Sequence, residues 1–163
     1  MADKGLHELF HHTLKDIYFA ENAITKALPK MAKAAQDPKL KKAFETHLEQ
    51  THGQIERLDK VFKLIDQKPE GVPCEAIKGI LKEGDEVADE FKGSSCLDAG
   101  LIGAAQAVEH YEIARYGALR TWADELGMKD ASALLQKTLD EEEKTDIDLS
   151  KLAMKSVNLK AIG

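Results

Sequence analysis

Residues 97–126 read LDAGLIGAAQAVEHYEIARYGALRTWADEL, and this stretch decides the fold. It holds no proline, and apolar residues return every three to four positions. One line carries Leu101, Ala105, Val108, Leu119 and Trp122. A neighbouring line carries Ile102, Ala105, Ile113 and Tyr116. That spacing is the period of an α-helix with a broad packed face, not the alternation of a strand. Acids interrupt both lines: Glu112 stands on the first and Glu109 on the second, one turn apart. A polar residue where the stripe asks for an apolar one is the informative observation.

The same period runs outward in both directions. A first helix is predicted from about Leu6 to Ala35, with Phe10, Leu14, Ile17, Ile24 and Leu28 in its stripe. Pro29 lies inside it and predicts a kink or thinned hydrogen bonding. Asp37 suits a cap and Pro38 a first helical position. The second helix then runs from about Pro38 to Gln67, its stripe being Leu40, Phe44, Leu48, Ile55, Leu58, Phe62 and Ile65. Residues 68–73 hold two prolines and a glycine and read as a loop. Cys74 to Phe91 reads as a shorter helix. Lys92 to Ser95 breaks it, and Ser95 is the expected cap of the helix from Leu97 to Leu126. Residues 127–130 stop that helix, and Asp130 is the expected cap of a last one from about Ala131 to Val157.

The chain therefore reads as all-α, with four helices of about 25–30 residues, each about 38–45 Å long. Short loops imply antiparallel neighbours. The long crossover between the second and third, with its extra shorter helix, lets those two run parallel. That is a ferritin-like four-helix bundle, read as a single domain over residues 1–163.

Composition narrows the function. The 163 residues carry a formal charge of −6, with 43% apolar and 32% charged residues. Such a chain is globular, and its acidity disfavours nucleic acid and anionic membrane as partners. No apolar run is long enough to span a bilayer. The segment Met1 to Gly5 is charged and lacks the apolar core of a secretory signal, so a cytoplasmic location is expected. Cys74 and Cys96 flank the crossover helix, too far apart for a disulfide, and are predicted to be free thiols. No phosphate-binding loop or nucleophile elbow occurs.

Acids recur at inner positions elsewhere. Glu21 stands between Ile17 and Ile24, and Glu142 and Asp146 stand between Leu139 and Leu149. The second helix offers Glu49-x-x-His52, flanked by Leu48 and Ile55. Burying an unpaired carboxylate costs several kcal/mol. Two divalent cations would offset that cost, and inward Glu and Glu-x-x-His side chains build such centres in bundles. Carboxylates with one imidazole suit iron or manganese. The candidate ligands are Glu21, Glu49, His52, Glu109, Glu112, Glu142 and Asp146. Glu109 and Glu112 stay open as alternatives, and the stripe favours Glu142 over Glu143. Glu8-x-x-His11 lies off the stripe and reads as surface. His7, His12, His47 and His110 are expected to be exposed. The bland alternative is an ion-pair core using Arg115 and Arg57. Tyr18, one turn from Glu21, suits either a hydrogen bond to a ligand or an ordinary core position.

Four segments carry a family resemblance: Asp16-Ile-Tyr18-Phe-Ala20-Glu21; His47-Leu-Glu49-Gln-Thr-His52; Val108-Glu109-His110-Tyr111-Glu112; and Thr138-Leu-Asp-Glu141-Glu142 with Thr145-Asp146. Together they resemble the YciF/YciE family, across essentially the whole chain. The resemblance implies a fold similar to ferritins and rubrerythrins, in a bacterial, cytoplasmic, stress-associated homodimer. It implies a dinuclear centre with ligands at Glu21, Glu49, His52, Glu109 or Glu112, Glu142 and Asp146, holding two divalent metal ions, iron foremost and manganese second. Peroxide or oxygen would be the substrate of a ferroxidase, peroxidase or catalase-like activity. The last helix departs from the wider di-iron pattern, because it has no Glu-x-x-His. The alternative is a non-catalytic dimeric helical protein with a structural metal or ion-pair core. A ferritin-like cage or DNA-binding mini-ferritin is weaker still, since the chain lacks a basic tail.

Overall fold

The computed structural model describes residues 4–162, so the first three residues of the Met1 to Gly5 segment lie outside the described residues. Among the described residues, the bundle and its crossover are built by α1 (Leu6–Ala34), α2 (Pro38–Leu64), α3 (Glu75–Glu90), α4 (Leu97–Glu125) and α5 (Lys129–Leu152). A π-helical turn, Ala153–Val157, and a short α6, Asn158–Ala161, follow. Every long helix sits within a few residues of its expected place. No helix among the described residues is long and apolar enough to cross a membrane.

The helix ends follow from local chemistry. Asp37 caps α2 by accepting the Lys39 N–H at 2.8 Å, with Pro38 at the first position. α4 closes on Gly127, at φ 72°, where an L side chain would be strained. The Met128 N–H reaches the Ala123 carbonyl at 2.8 Å and the Gly127 N–H reaches that of Asp124 at 3.0 Å. These two bonds satisfy carbonyls that the helix leaves open.

Three local expectations differ. Ser94, not Ser95, stands at the start of α4, its Oγ accepting the Cys96 N–H at 3.1 Å. α5 begins at Lys129, so Asp130 lies inside the first turn and meets the helix dipole instead of capping. Pro29 matches its expectation: its ring faces solvent and the helix continues with one backbone hydrogen bond missing. The last helix does not run as an unbroken α-helix to Val157. One wider turn takes its place, turning both Ala153 and Val157 inward.

Packing gives the topology. α1 lies against α2 and α4, and α5 against α2 and α4, while α3 covers α1 and α4. The Asp98 carboxylate, at the start of α4, accepts the N–H groups of Gln36 and Asp37 at 2.8 and 2.7 Å. The starts of α2 and α4 therefore share one end of the bundle, and the two helices run parallel. This is the ferritin-like four-helix bundle with a long crossover. α3 comes close to α4 at Gly100, where a Cβ would sit 2.6 Å from Val87 Cγ1. The core is made by Phe10, Leu14, Ile17, Phe62, Leu101 and Leu119 among others, all within 1% of full burial. Each such side chain contributes about 1.5–3 kcal/mol. Cys74 and Cys96 are free thiols.

Candidate metal centre

At mid-length the apolar core gives way to acid. Glu21 of α1, Glu109 and Glu112 of α4 and Glu142 of α5 are all at most 2% exposed. His47 of α2 joins them at 3%. Its Nε2 lies 3.3 Å from Glu109 Oε1 and 3.8 Å from Glu142 Oε2. One ligand atom from each of His47, Glu109, Glu112 and Glu142 lies within 4.8 Å of the others. Glu21 stands beside them, its Oε1 accepting the hydroxyl of the fully buried Tyr116. Many of the polar atoms have no hydrogen-bond partner: both nitrogens of His47, both oxygens of Glu112 and of Glu142, and one oxygen each of Glu21 and Glu109. Buried polar atoms are almost always satisfied, and this set of acceptors could hold a cation.

The electrostatics agree. Burial, with the neighbouring Glu142 charge, pushes the Glu21 carboxyl up to about 8. Glu109 and Glu112 are held well above the carboxylate range by burial and by the other acids of the group. Burial raises Glu142 as well. Tyr116 is held well above its ordinary value by burial and by Glu21. Without cations the cluster keeps protons; divalent ions would let the carboxyls ionise. No Lys or Arg nitrogen among the described residues makes an ion pair with these four glutamates. Arg57 grips both oxygens of Glu141 at 2.6 and 2.7 Å, and Arg115 pairs with Asp16 at 3.6 Å.

The family described as a domain of unknown function, DUF892, matches residues 5–162. Protein YciF of Escherichia coli K12 is 47% identical over 162 residues, covering 99% of this chain and 98% of that one. The chain belongs to the YciF family. The crystal structure of the E. coli stress protein YciF superposes with a TM-score of 0.91 at 46% identity, covering 96% of this chain and 99% of that one. A Rhodopseudomonas palustris structure named YcfI gives 0.88 at 50% identity, covering 90% and 94%. A Xanthomonas campestris protein gives 0.75 at 21% identity over 95% and 94%, a likeness of fold alone.

In this YciF-family chain the cluster gathers four of the seven residues singled out from sequence: Glu21, Glu109, Glu112 and Glu142. Glu143 is exposed. Glu49 and His52 are not brought in; both are exposed on the outer side of α2. Leu48 and Ile55, used to orient that helix, are only half-buried. The inner line is Phe44, His47, Thr51, Gln54 and Leu58, three of whose five members are polar. His47 is thus buried, not exposed as expected. Its signal was its place three residues after Phe44 and eleven before Leu58. Asp146 lies toward the surface, bonded by Gln106 Nε2 at 2.9 Å and facing His110 at 3.2 Å. Tyr18 packs edge-on against Phe62, with ring centres 5.4 Å apart; Tyr116 is the phenol that reaches a candidate ligand.

Proposed function

We propose that this chain is a ferritin-like protein that binds two divalent metal ions, iron foremost and manganese second, in a bacterial stress response. One observation carries the reading: three buried glutamates and an imidazole gather ligand atoms within 4.8 Å of one another, with buried Glu21 beside them and no Lys or Arg paired to any of the glutamates. His47, Glu109 and Glu142 would hold one ion. Glu112, which belongs to the same donor group, and Glu21 beside it would supply oxygens for the other. A bound iron or manganese ion supplies Lewis acidity and redox cycling toward dioxygen or peroxide. The chain's own residues fix the geometry. Tyr116 holds one oxygen of Glu21 and leaves the other free. The surrounding apolar core keeps bulk water away, which strengthens every charge interaction inside.

The ion-pair alternative lacks its cations, because Arg57 and Arg115 are engaged elsewhere. A structural, non-catalytic metal is the second reading, favoured by the nearly complete burial of the glutamates. The same proposal takes the chain as a homodimer, to be checked by light scattering.

Anaerobic calorimetric titration with Fe2+ and with Mn2+ tests the reading. Two equivalents are expected, lost in the His47→Gln, Glu142→Gln double variant while its helix content survives. Less than one equivalent on the wild type would refute it. Metal uptake without any consumption of peroxide or dioxygen would select the structural reading.

A further inference from the structure

Next to the centre lies a cavity of about 20 Å3. All five long helices line it: Ile24 of α1, Phe44 of α2, Leu81 of α3, Val108 of α4 and Leu149 of α5 enclose it with apolar surface. Three polar side chains border it. Thr145 is already satisfied, its hydroxyl donating to the Glu141 carbonyl at 2.9 Å. The other two are His47 and Glu109, both members of the cluster, and both keep unpaired atoms.

The space therefore has two unlike ends. Room of about 10–15 Å3 admits one water-sized body, but a water also needs two to four polar partners. Only the end at the cluster offers any. A hydrated ion or an anion would lose its solvation against the remaining wall. A small uncharged molecule loses almost nothing there. Met31, Ala43 and Leu81 are half-buried, so the far wall approaches solvent at the side covered by α3.

We propose that this cavity is a binding pocket for a small, uncharged molecule of dioxygen size, delivered to the face of the centre formed by His47 and Glu109. The delivery rests on the metal reading above; occupancy of the pocket does not.

Crystals of the metal-free protein under krypton pressure test the pocket directly. Krypton is expected between Phe44, Val108 and Leu149, and absent in Ala105→Leu, which fills the wall. Ala27→Leu, at a half-buried lining position, serves if Ala105→Leu fails to fold. In the iron-loaded protein the fillers should slow nitric oxide binding about tenfold or more, the effect a few methylenes have in an apolar site. Metal uptake should be unchanged. Absence of krypton from the wild-type cavity, or wild-type nitric oxide rates in both fillers, would overturn the proposal. Krypton bound by a protein that takes up no metal would keep the pocket and remove the metal reading. Metal uptake without krypton would do the reverse.

Discussion

Consider the protein stripped of divalent metal by a chelator and taken from about pH 5 to about pH 8. In the unfolded chain Glu21 titrates near 4.5; in the folded chain burial and Glu142 hold it to about 8. Between those values the folded form keeps a proton that the unfolded form has released. Stability present at the acid end is therefore lost as pH rises through about 8. The window covers about 3 pH units of that gap, at about 1.4 kcal/mol each, so the loss is on the order of 4 kcal/mol for Glu21 alone. Glu109, Glu112 and Glu142 act in the same direction, but their protons are shared and do not add independently. Folded proteins have about 5–15 kcal/mol in total, so the loss is a large fraction. It corresponds to a melting temperature lower by about 8–16 °C. Asp37 and Asp148 are held below their ordinary values by lysines, and their contribution is lost only on acidification below the window. His11, lowered first by burial, acts with the opposite sign, and its partial exposure keeps it small. Far-UV circular dichroism of thermal unfolding measures the effect. Mn2+ at the alkaline end should restore what the pH rise removes, since cations replace the protons. A metal-free protein whose melting temperature stays flat or rises across the window would refute the reasoning.

Three further outcomes follow from the same geometry. Glu142→Gln should stabilise the metal-free protein at alkaline pH by about 1–4 kcal/mol, because it removes a buried charge without a partner. It should also abolish stabilisation by metal, read in urea titrations with and without Mn2+. His47→Gln should weaken metal binding at least about tenfold in calorimetry, whereas His52→Gln, at an exposed position, should leave it unchanged. Asp98→Ala orphans the Gln36 and Asp37 N–H groups and should cost about 2–4 kcal/mol in urea unfolding, with metal stoichiometry intact.

The fold was legible because periodicity and punctuation agreed. Leu97 to Leu126 announced a long helix, and Asp37-Pro38 and Gly127 marked boundaries that the backbone keeps. The acids on α1, α4 and α5 were legible because each interrupts an otherwise apolar line. α2 misled because its inner line is itself mostly polar. Leu48 and Ile55 rotated the expected face by about one residue's turn, bringing Glu49 and His52 forward and sending His47 outside. Tyr116 had no sequence signal beyond a core position. Its role depends on α1 and α4 meeting at Glu21, a contact between residues 95 apart in the chain. The π-helical turn was likewise silent, since Ala153 to Val157 is compatible with an ordinary helix.

Lys160 bonds to Asp37 at 2.7 Å, just past the end of α1. Leu6, at the start of that 29-residue helix, is about 43 Å away along its axis. A force applied between Leu6 and Ala161 thus runs lengthwise through the bundle and slides α1 along α2 and α4. Contacts over the whole helix would bear the load together. Pulling outward on Ala161 alone would instead peel away α6, which buries nothing, and then the π-helical turn, which buries Ala153 and Val157. The molecule should resist being stretched far better than being unravelled, so an unfolding motor would meet very different resistance at its two sides.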